Sequence, residues 1–187
     1  MSNILENYNS LRNIPSDINE HLPILFEYGK NVKTIAEFGV RNAVSCYAFA
    51  ASRPEKMICV DIVKTQRAEE FCGLCKNENI NLRFDVADTT QYSLEQVDLL
   101  FIDTLHTYAQ LKRELELHNF KVNRYIILHD TITYGFREDM EIPESISQKQ
   151  WKQGLMPAVI EFLQDHREWC HFKTYPNNNG LTVLERR

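Results

Sequence analysis

The sequence predicts an α/β three-layer sandwich: a mostly parallel sheet of seven strands with helices on both faces, closing in an antiparallel hairpin. Three observations carry this. Five short runs, "TIAEF", "MICVDI", "INLRFDV", "VDLLFID" and "RYIILHD", alternate with segments of helical period, the rhythm of βαβ units. Several of the runs are nearly all apolar, as strands covered on both faces must be. The chain ends "WCHFKTYPNNNGLTVLERR", two strand-like runs joined by Asn and Gly, which take the positive φ of a tight turn.

The elements follow in order. Ser16 to Tyr28 reads as a helix with Ile18, Leu22, Leu25 and Phe26 on one side and Ser16 as N-cap, while Pro23 implies a kink or a second start. "NAVSCYAFAAS" is the helix after the first strand. Residues 65–78 form the next helix, with Ala68, Phe71, Cys72 and Cys75 spaced i, i+3, i+4, i+7 on one apolar stripe. From Thr107 to Phe120, Tyr108, Leu111 and Leu115 share one face, and Lys112, Arg113, Glu114 and Glu116 are assigned largely to another. Between Thr131 and Gly154 the pattern lapses into polar residues around Pro143, and a long irregular segment within a compact unit is more often functional than idle. Pro157 then opens "PAVIEFLQDH" at the favoured first helical position.

Length and composition bound the rest. The 187 residues contain no Gly/Ser/Pro-rich linker, low-complexity tract or repeat, so residues 1–187 are expected to form a single domain. Within it, 1–30 is a helical N-terminal cap and 131–154 an irregular insertion on the substrate side. An apolar share of 43% supplies a core. The net charge of −5 and the lack of a basic run argue against nucleic acid as a partner. No apolar stretch approaches membrane-spanning length, and the start has no signal-peptide pattern, so a soluble, cytoplasmic protein is expected. Five cysteines cannot all pair within a monomer. The "CGLC" pair lacks the two further ligands a zinc site needs, and reads as small core hydrophobes.

In open parallel sheets, ligands bind beyond the carboxyl ends of the strands. This sequence places there Glu37 and Gly39, then Asp61, then Asp85 and Asp88, then Asp103 and His106, and finally His129 and Asp130. Asp103, His129 and Asp130 end apolar runs directly. The loop "EFGVRNAVS" has one glycine, with Arg41 where a dinucleotide fingerprint needs its second. A pyrophosphate fits this loop poorly. A ligand with an amino-acid end, a ribose and a base fits better, and Asp61, 22 residues after Gly39, is placed to accept ribose hydroxyls.

The ordered series "SDINEHLPIL", "TIAEFGVRNAVS", "ICVDI", "FIDTLHTY", "YIILHDT", "LMPAVIEFL" and "NNNGLTVLER" resembles the class I S-adenosylmethionine-dependent methyltransferases, which have a Rossmann-like fold. Within them it is similar to the macrocin O-methyltransferase and cephalosporin-hydroxylase-like branch. The resemblance implies S-adenosylmethionine as cofactor. It implies that Glu37 and Gly39, with Arg41, Ser45 and Asp103 beside them, meet its methionine part, that Asp61 binds the ribose with Ile62 against the adenine, and that Asp88 reaches the adenine amino group. Asp103 and Asp130 resemble the metal-binding carboxylates of metal-dependent relatives, with Mg2+ as the implied ion, and His106 resembles their base, with Asp103 as its catalytic partner. Ala43 departs from a glycine usual in the first loop, and no third metal ligand is placed. The implied reaction is O-methylation of a small hydroxylated acceptor, a sugar or natural product, by a protein for which a homo-oligomer is open. The alternatives are an S-adenosylmethionine-binding protein of hydroxylase-like activity and, against the evidence of the loop, a nicotinamide-dependent oxidoreductase.

Methyl transfer from a sulfonium has a neutral leaving group, so the need is for a base to take the acceptor's proton. His106, near a helix N-terminus, is expected to stay neutral for this task. His129 is read as shaping the strand end, His21 as core or rim packing, and "NNNG" as a turn. Tyr134, Phe136 and Trp151 either stack on an acceptor or anchor the irregular segment.

Overall fold

The structure, a computed structural model, describes residues 3–137 and 154–187. Its strands are β1 (Thr34–Phe38), β2 (Lys56–Asp61), β3 (Leu82–Val86), β4 (Val97–Ile102), β5 (Val122–His129), β6 (Trp169–Tyr175) and β7 (Leu181–Arg186). They form one seven-stranded sheet in the order β3-β2-β1-β4-β5-β7-β6. The first five are parallel, and β7 runs antiparallel between β5 and β6. The expected sheet and its terminal hairpin are both present. Because β1 lies between β2 and β4, the connections leave it in opposite directions, and the sheet has its switch point at the ends of β1 and β4.

Strand alternation divides the core into two layers. Ile35, Met57, Cys59, Leu99, Phe101, Ile127 and Val183 face one side, covered by helices α1 (Ile4–Leu11), α2 (Leu22–Lys30), α3 (Val44–Ala51) and α4 (Gln66–Asn77). Ala36, Phe38, Ile58, Val60, Leu100, Ile102, Ile126 and Leu128 face the other, under α5 (Tyr108–His118) and α6 (Leu155–Asp165). Both faces of the central strands are therefore dry, which is why their sequences show no polar alternation.

Several expectations shift. Pro23 stands in the first turn of α2, so it marks a second start and not a kink; Ser16 instead accepts from Asn19 N at 3.0 Å, ahead of a single 3-10 turn at Asn19–His21. The separate helix α1 begins at a capping box between Asn3 and Glu6, a reciprocal pair that satisfies orphan amide donors. Helix α6 begins at Leu155, two residues before Pro157. Glu114, assigned to a polar face of α5, is completely buried. Cys75 is buried on α4, as a core cysteine should be, and Cys72 is half-buried. Pro143 and Trp151 lie outside the described residues, as do residues 138–153 of the irregular segment. Among the described residues no helix is long and apolar enough to cross a membrane.

Candidate active site at the carboxyl edge of the sheet

The ends of β1 and β4 are locked together. Asp103 N donates to Phe38 O at 2.9 Å, and Gly39 N donates to Val60 O at 3.0 Å. Gly39 has φ +80, and a Cβ there would lie 2.0 Å from the carbonyl oxygen of Asp103. Only glycine permits both the left-handed turn and this close approach. The loop that follows holds Arg41 at φ 44 and Ala43 at φ 59, a conformation that L-residues adopt at a cost. Part of that cost is met by Asp61, whose Oδ2 accepts from Val40 N (2.7 Å) and Arg41 N (2.9 Å) while Oδ1 accepts from Val63 N (3.0 Å). Asp61 thus braces the loop. A carboxylate has about four acceptor sites, which leaves Oδ1 as the oxygen with more room for a ribose hydroxyl.

The other residues expected around a cofactor are differently disposed. Glu37 is completely buried and turns toward the start of α3, where Ser45 Oγ donates to its Oε1; the pair holds the loop from below and does not line the open edge. Burial pushes the Glu37 carboxyl up to about 8, against the hydrogen bond from Ser45. The Arg41 side chain reaches away to Asp17, with Nη2–Oδ2 at 2.5 Å. Asp88 is exposed but spends its carboxylate on its own turn, accepting from Thr90 N, Thr90 Oγ1 and Gln91 Nε2 at 2.7–2.9 Å, which holds it below its ordinary value. Ile62 is 71% exposed, and Val63, Val86 and Leu105 are also exposed at the same edge, an apolar border open to a flat ring.

Asp103, His106, His129 and Asp130 converge. His106 Nε2 lies 2.7 Å from Asp130 Oδ2 and 3.6 Å from Asp103 Oδ1. His129 Nδ1 lies 3.4 Å from Asp103 Oδ1 and 3.5 Å from Asp130 Oδ2. Asp130 follows β5 at once with φ 59, and this left-handed step turns its carboxylate back toward Asp103. Burial alone would lower both histidines, but the two carboxylates raise each to about 10. Burial alone would raise both aspartates, and the two imidazoles pull them below their ordinary range. The quartet is a charge-balanced cluster of two cations and two anions. The expected neutral His106 is therefore corrected: a helix dipole is worth roughly 0.3–1 kcal/mol, and two adjacent carboxylates outweigh it.

Tyr134 stacks on His106, ring centroids 4.5 Å apart and planes 7° from parallel, so it belongs to the site, whereas Phe136 is 71% exposed. Below, a cavity of about 10 Å³ touches Asp103, His106, Leu111 and Leu155, room for about one water. Asp103, His129 and Asp130 offer ligand atoms within 4.8 Å of one another. Asp130 Oδ1 is buried without a hydrogen-bond partner. This set fits a divalent cation, with His129 as the third donor that the sequence left unplaced.

No family model and no curated protein matches the chain. Solved structures do. A candidate caffeoyl-CoA O-methyltransferase from Staphylococcus aureus superposes with a TM-score of 0.67 at 18% identity, over 100% of this chain and 93% of that one. A candidate O-methyltransferase from Klebsiella pneumoniae gives 0.65 at 16%, over 98% and 88%. A Podospora anserina methyltransferase holding S-adenosylhomocysteine gives 0.59 at 12%, over 98% and 87%. The chain has the methyltransferase fold. In this methyltransferase fold the quartet stands at the switch point, directly beside the Gly39 loop.

Sequence reasoning undervalued the hairpin tip. Asn178 Oδ1 accepts from Glu20 N at 3.0 Å and Asn178 Nδ2 donates to Ser16 O at 2.8 Å; Asn179 O accepts from Ile132 N and Thr133 N. "NNNG" is a clamp that fastens the N-terminal segment and the chain after Asp130 to the sheet. It also overlooked Glu114, which accepts from Thr104, Thr89 and Gln110 and so ties the loops after β3 and β4 to α5. The signal was present, since Glu114 is one residue before Leu115 and three after Leu111 on the apolar face.

Proposed function

We propose that this protein is an S-adenosylmethionine-dependent O-methyltransferase acting on a hydroxyl of a small acceptor, assisted by a divalent cation held by Asp103, His129 and Asp130. The observation that carries this reading is the quartet itself: two carboxylates and two imidazoles on the ends of adjacent strands, next to the Gly39 loop. Neighbours in fold described as candidate O-methyltransferases support it. Affinity with the macrocin branch, a sugar or natural-product acceptor and a cytoplasmic setting belong to the same proposal.

When bound, the cofactor supplies an electrophilic methyl on a sulfonium, and the cation supplies Lewis acidity toward the acceptor's oxygen. The chain's residues do the rest. Gly39 and Asp61 shape the loop that would carry the donor, and Ile62 and Val86 would border its base. Asp103 and Asp130 aim their carboxylates at one point. A cation held there would offset that charge, and the His106 imidazole, 2.7 Å from Asp130 Oδ2, would be the group to take the acceptor's proton, a contribution typically of about 10²–10⁴-fold. Tyr134 keeps the His106 ring in plane. The nitrogen of His129 in the donor set shifts the preferred ion from Mg2+ toward Mn2+ or a similar borderline cation.

Calorimetry with S-adenosylhomocysteine, with and without Mn2+, tests the reading, followed by a hydroxylated acceptor panel with labelled donor. Binding plus label transfer supports it. A protein that fails to bind S-adenosylhomocysteine under either condition excludes it.

A further inference from the structure

A second cluster of ligand atoms lies inside the molecule, on the opposite face of the sheet from α5 and α6. Glu37 on β1, Cys59 on β2 and Cys46 on α3 each offer one atom, all within 4.8 Å of one another and all fully buried. The two Sγ atoms are 3.8 Å apart. Two thiolates bound at about 2.3 Å to one tetrahedral ion stand about 3.8 Å apart, so the spacing already suits a shared cation without movement of α3 or β2. Glu37 adds a donor of opposite orientation. Its Oε1 is held by Ser45 Oγ, while Oε2 is buried with no hydrogen-bond partner. A buried polar atom left without a partner costs on the order of 1–3 kcal/mol, and the same carboxylate offers a ligand atom within 4.8 Å of both sulfurs.

We propose that Glu37, Cys46 and Cys59 form a site for a thiophilic d10 cation of the Zn2+ or Cd2+ class, separate from the Asp103–His129–Asp130 cluster. The two clusters sort ions by chemistry: two sulfurs and one oxygen favour soft ions, whereas two carboxylates and an imidazole favour harder ones. Binding replaces a proton on each donor that carries one, so uptake releases protons to solvent. Ser45 supports the site from outside by fixing the carboxylate through its other oxygen. Cys72 and Cys75, on α4, and Cys170, on β6, are not part of it.

The test is a titration of the reduced protein with Cd2+ in excess Mn2+, which fills the harder cluster, reading the ultraviolet thiolate-to-cadmium charge-transfer band. One equivalent is expected to produce the band in the wild type. The band should vanish in Cys46→Ala and Cys59→Ala, weaken by about 10–100-fold in affinity in Ser45→Ala, and persist in Cys72→Ser, Cys170→Ser and Asp103→Asn. Where an Ala variant does not fold, the wild type decides alone: in moderate urea, Cd2+ should protect Cys46 and Cys59 from alkylation while Cys170 reacts freely. Absence of the band, its survival without Cys46 and Cys59, or equal alkylation of those cysteines with and without Cd2+ overturns the proposal.

Discussion

His129 and Asn178 meet through one atom: the Asn178 carbonyl oxygen lies 3.2 Å from Nε2 of His129. The same oxygen lies 3.1 Å from Nε2 of His21, and the two rings pack edge to face at 5.6 Å. With Nε2–H directed at the carbonyl, Nδ1 of His129 is the nitrogen that faces Asp103 and Asp130. His21→Phe keeps an aromatic ring, somewhat larger, and removes one donor. It should cost about 0.5–1.5 kcal/mol in chemical denaturation and shift the His129 imidazole resonances in NMR. Unchanged resonances would show that the shared carbonyl does not orient His129.

Asp130→Asn removes one charge from the quartet. Mn2+ affinity and methyl transfer should both fall by at least about tenfold, while S-adenosylhomocysteine affinity stays within a few-fold, because Asp61 and the Gly39 loop are untouched. Equal loss of cofactor and ion binding would mean that the loop, and not the ion site, depends on this carboxylate.

Ion uptake should depend on pH with a definite sign. His129 must present Nδ1 as a lone pair to bind a cation, yet Asp103 and Asp130 hold the ring protonated, with its value raised to about 10. Binding therefore releases protons, and Mn2+ affinity should rise with pH between 6 and 9 on titration in buffers of matched ionic strength. A flat profile would remove His129 from the donor set.

Glu114 gives a stability prediction. Burial raises its carboxyl to about 7, against hydrogen bonds from Thr89, Gln110 and Thr104. A folded-state value above the unfolded one means the folded chain binds the proton more tightly. This contribution is present below the unfolded value of 4.5 and is lost as pH rises through about 7. The stability of Glu114→Gln relative to wild type should improve across that window by on the order of 3 kcal/mol, measured by urea unfolding at several pH values. Parallel profiles for the two proteins would refute it.

Gly39→Ala should be among the most damaging single changes. The methyl would meet the Asp103 carbonyl at 2.0 Å with φ held at +80, so β1 and β4 must part at their ends. A left-handed L-residue alone costs on the order of 1–3 kcal/mol, and the clash adds to it. Thermal unfolding and cofactor calorimetry should both register the loss.

Most of the sheet was legible because its strands are buried on both faces, so "TIAEF", "VDLLFID" and "RYIILHD" stand out as apolar runs ended by carboxylates or a glycine. The convergence of Asp103, His106 and Asp130 followed from their places at the carboxyl ends of parallel strands together with the family resemblance. What sequence did not reveal was the state of the side chains. Asp61 and Asp88 look like free acceptors in a linear reading, but the first is bonded to Val40, Arg41 and Val63 and the second to Thr90 and Gln91. Neutral His106 failed for a similar reason, since the charges that fix it arrive from two different strands. The role of Asn178 was hidden because its partners are far away along the chain.

That distance matters for how the protein is made. His21 and Asn178 are 157 positions apart, and β7, which flanks β5 and its terminal His129, leaves the ribosome after the six strands before it. Synthesis can lay down β1 to β4 with their helices while the acidic centre still lacks its backing. Nascent chains stalled before residue 177 should consequently be unable to assemble a competent centre, however well their earlier strands have paired.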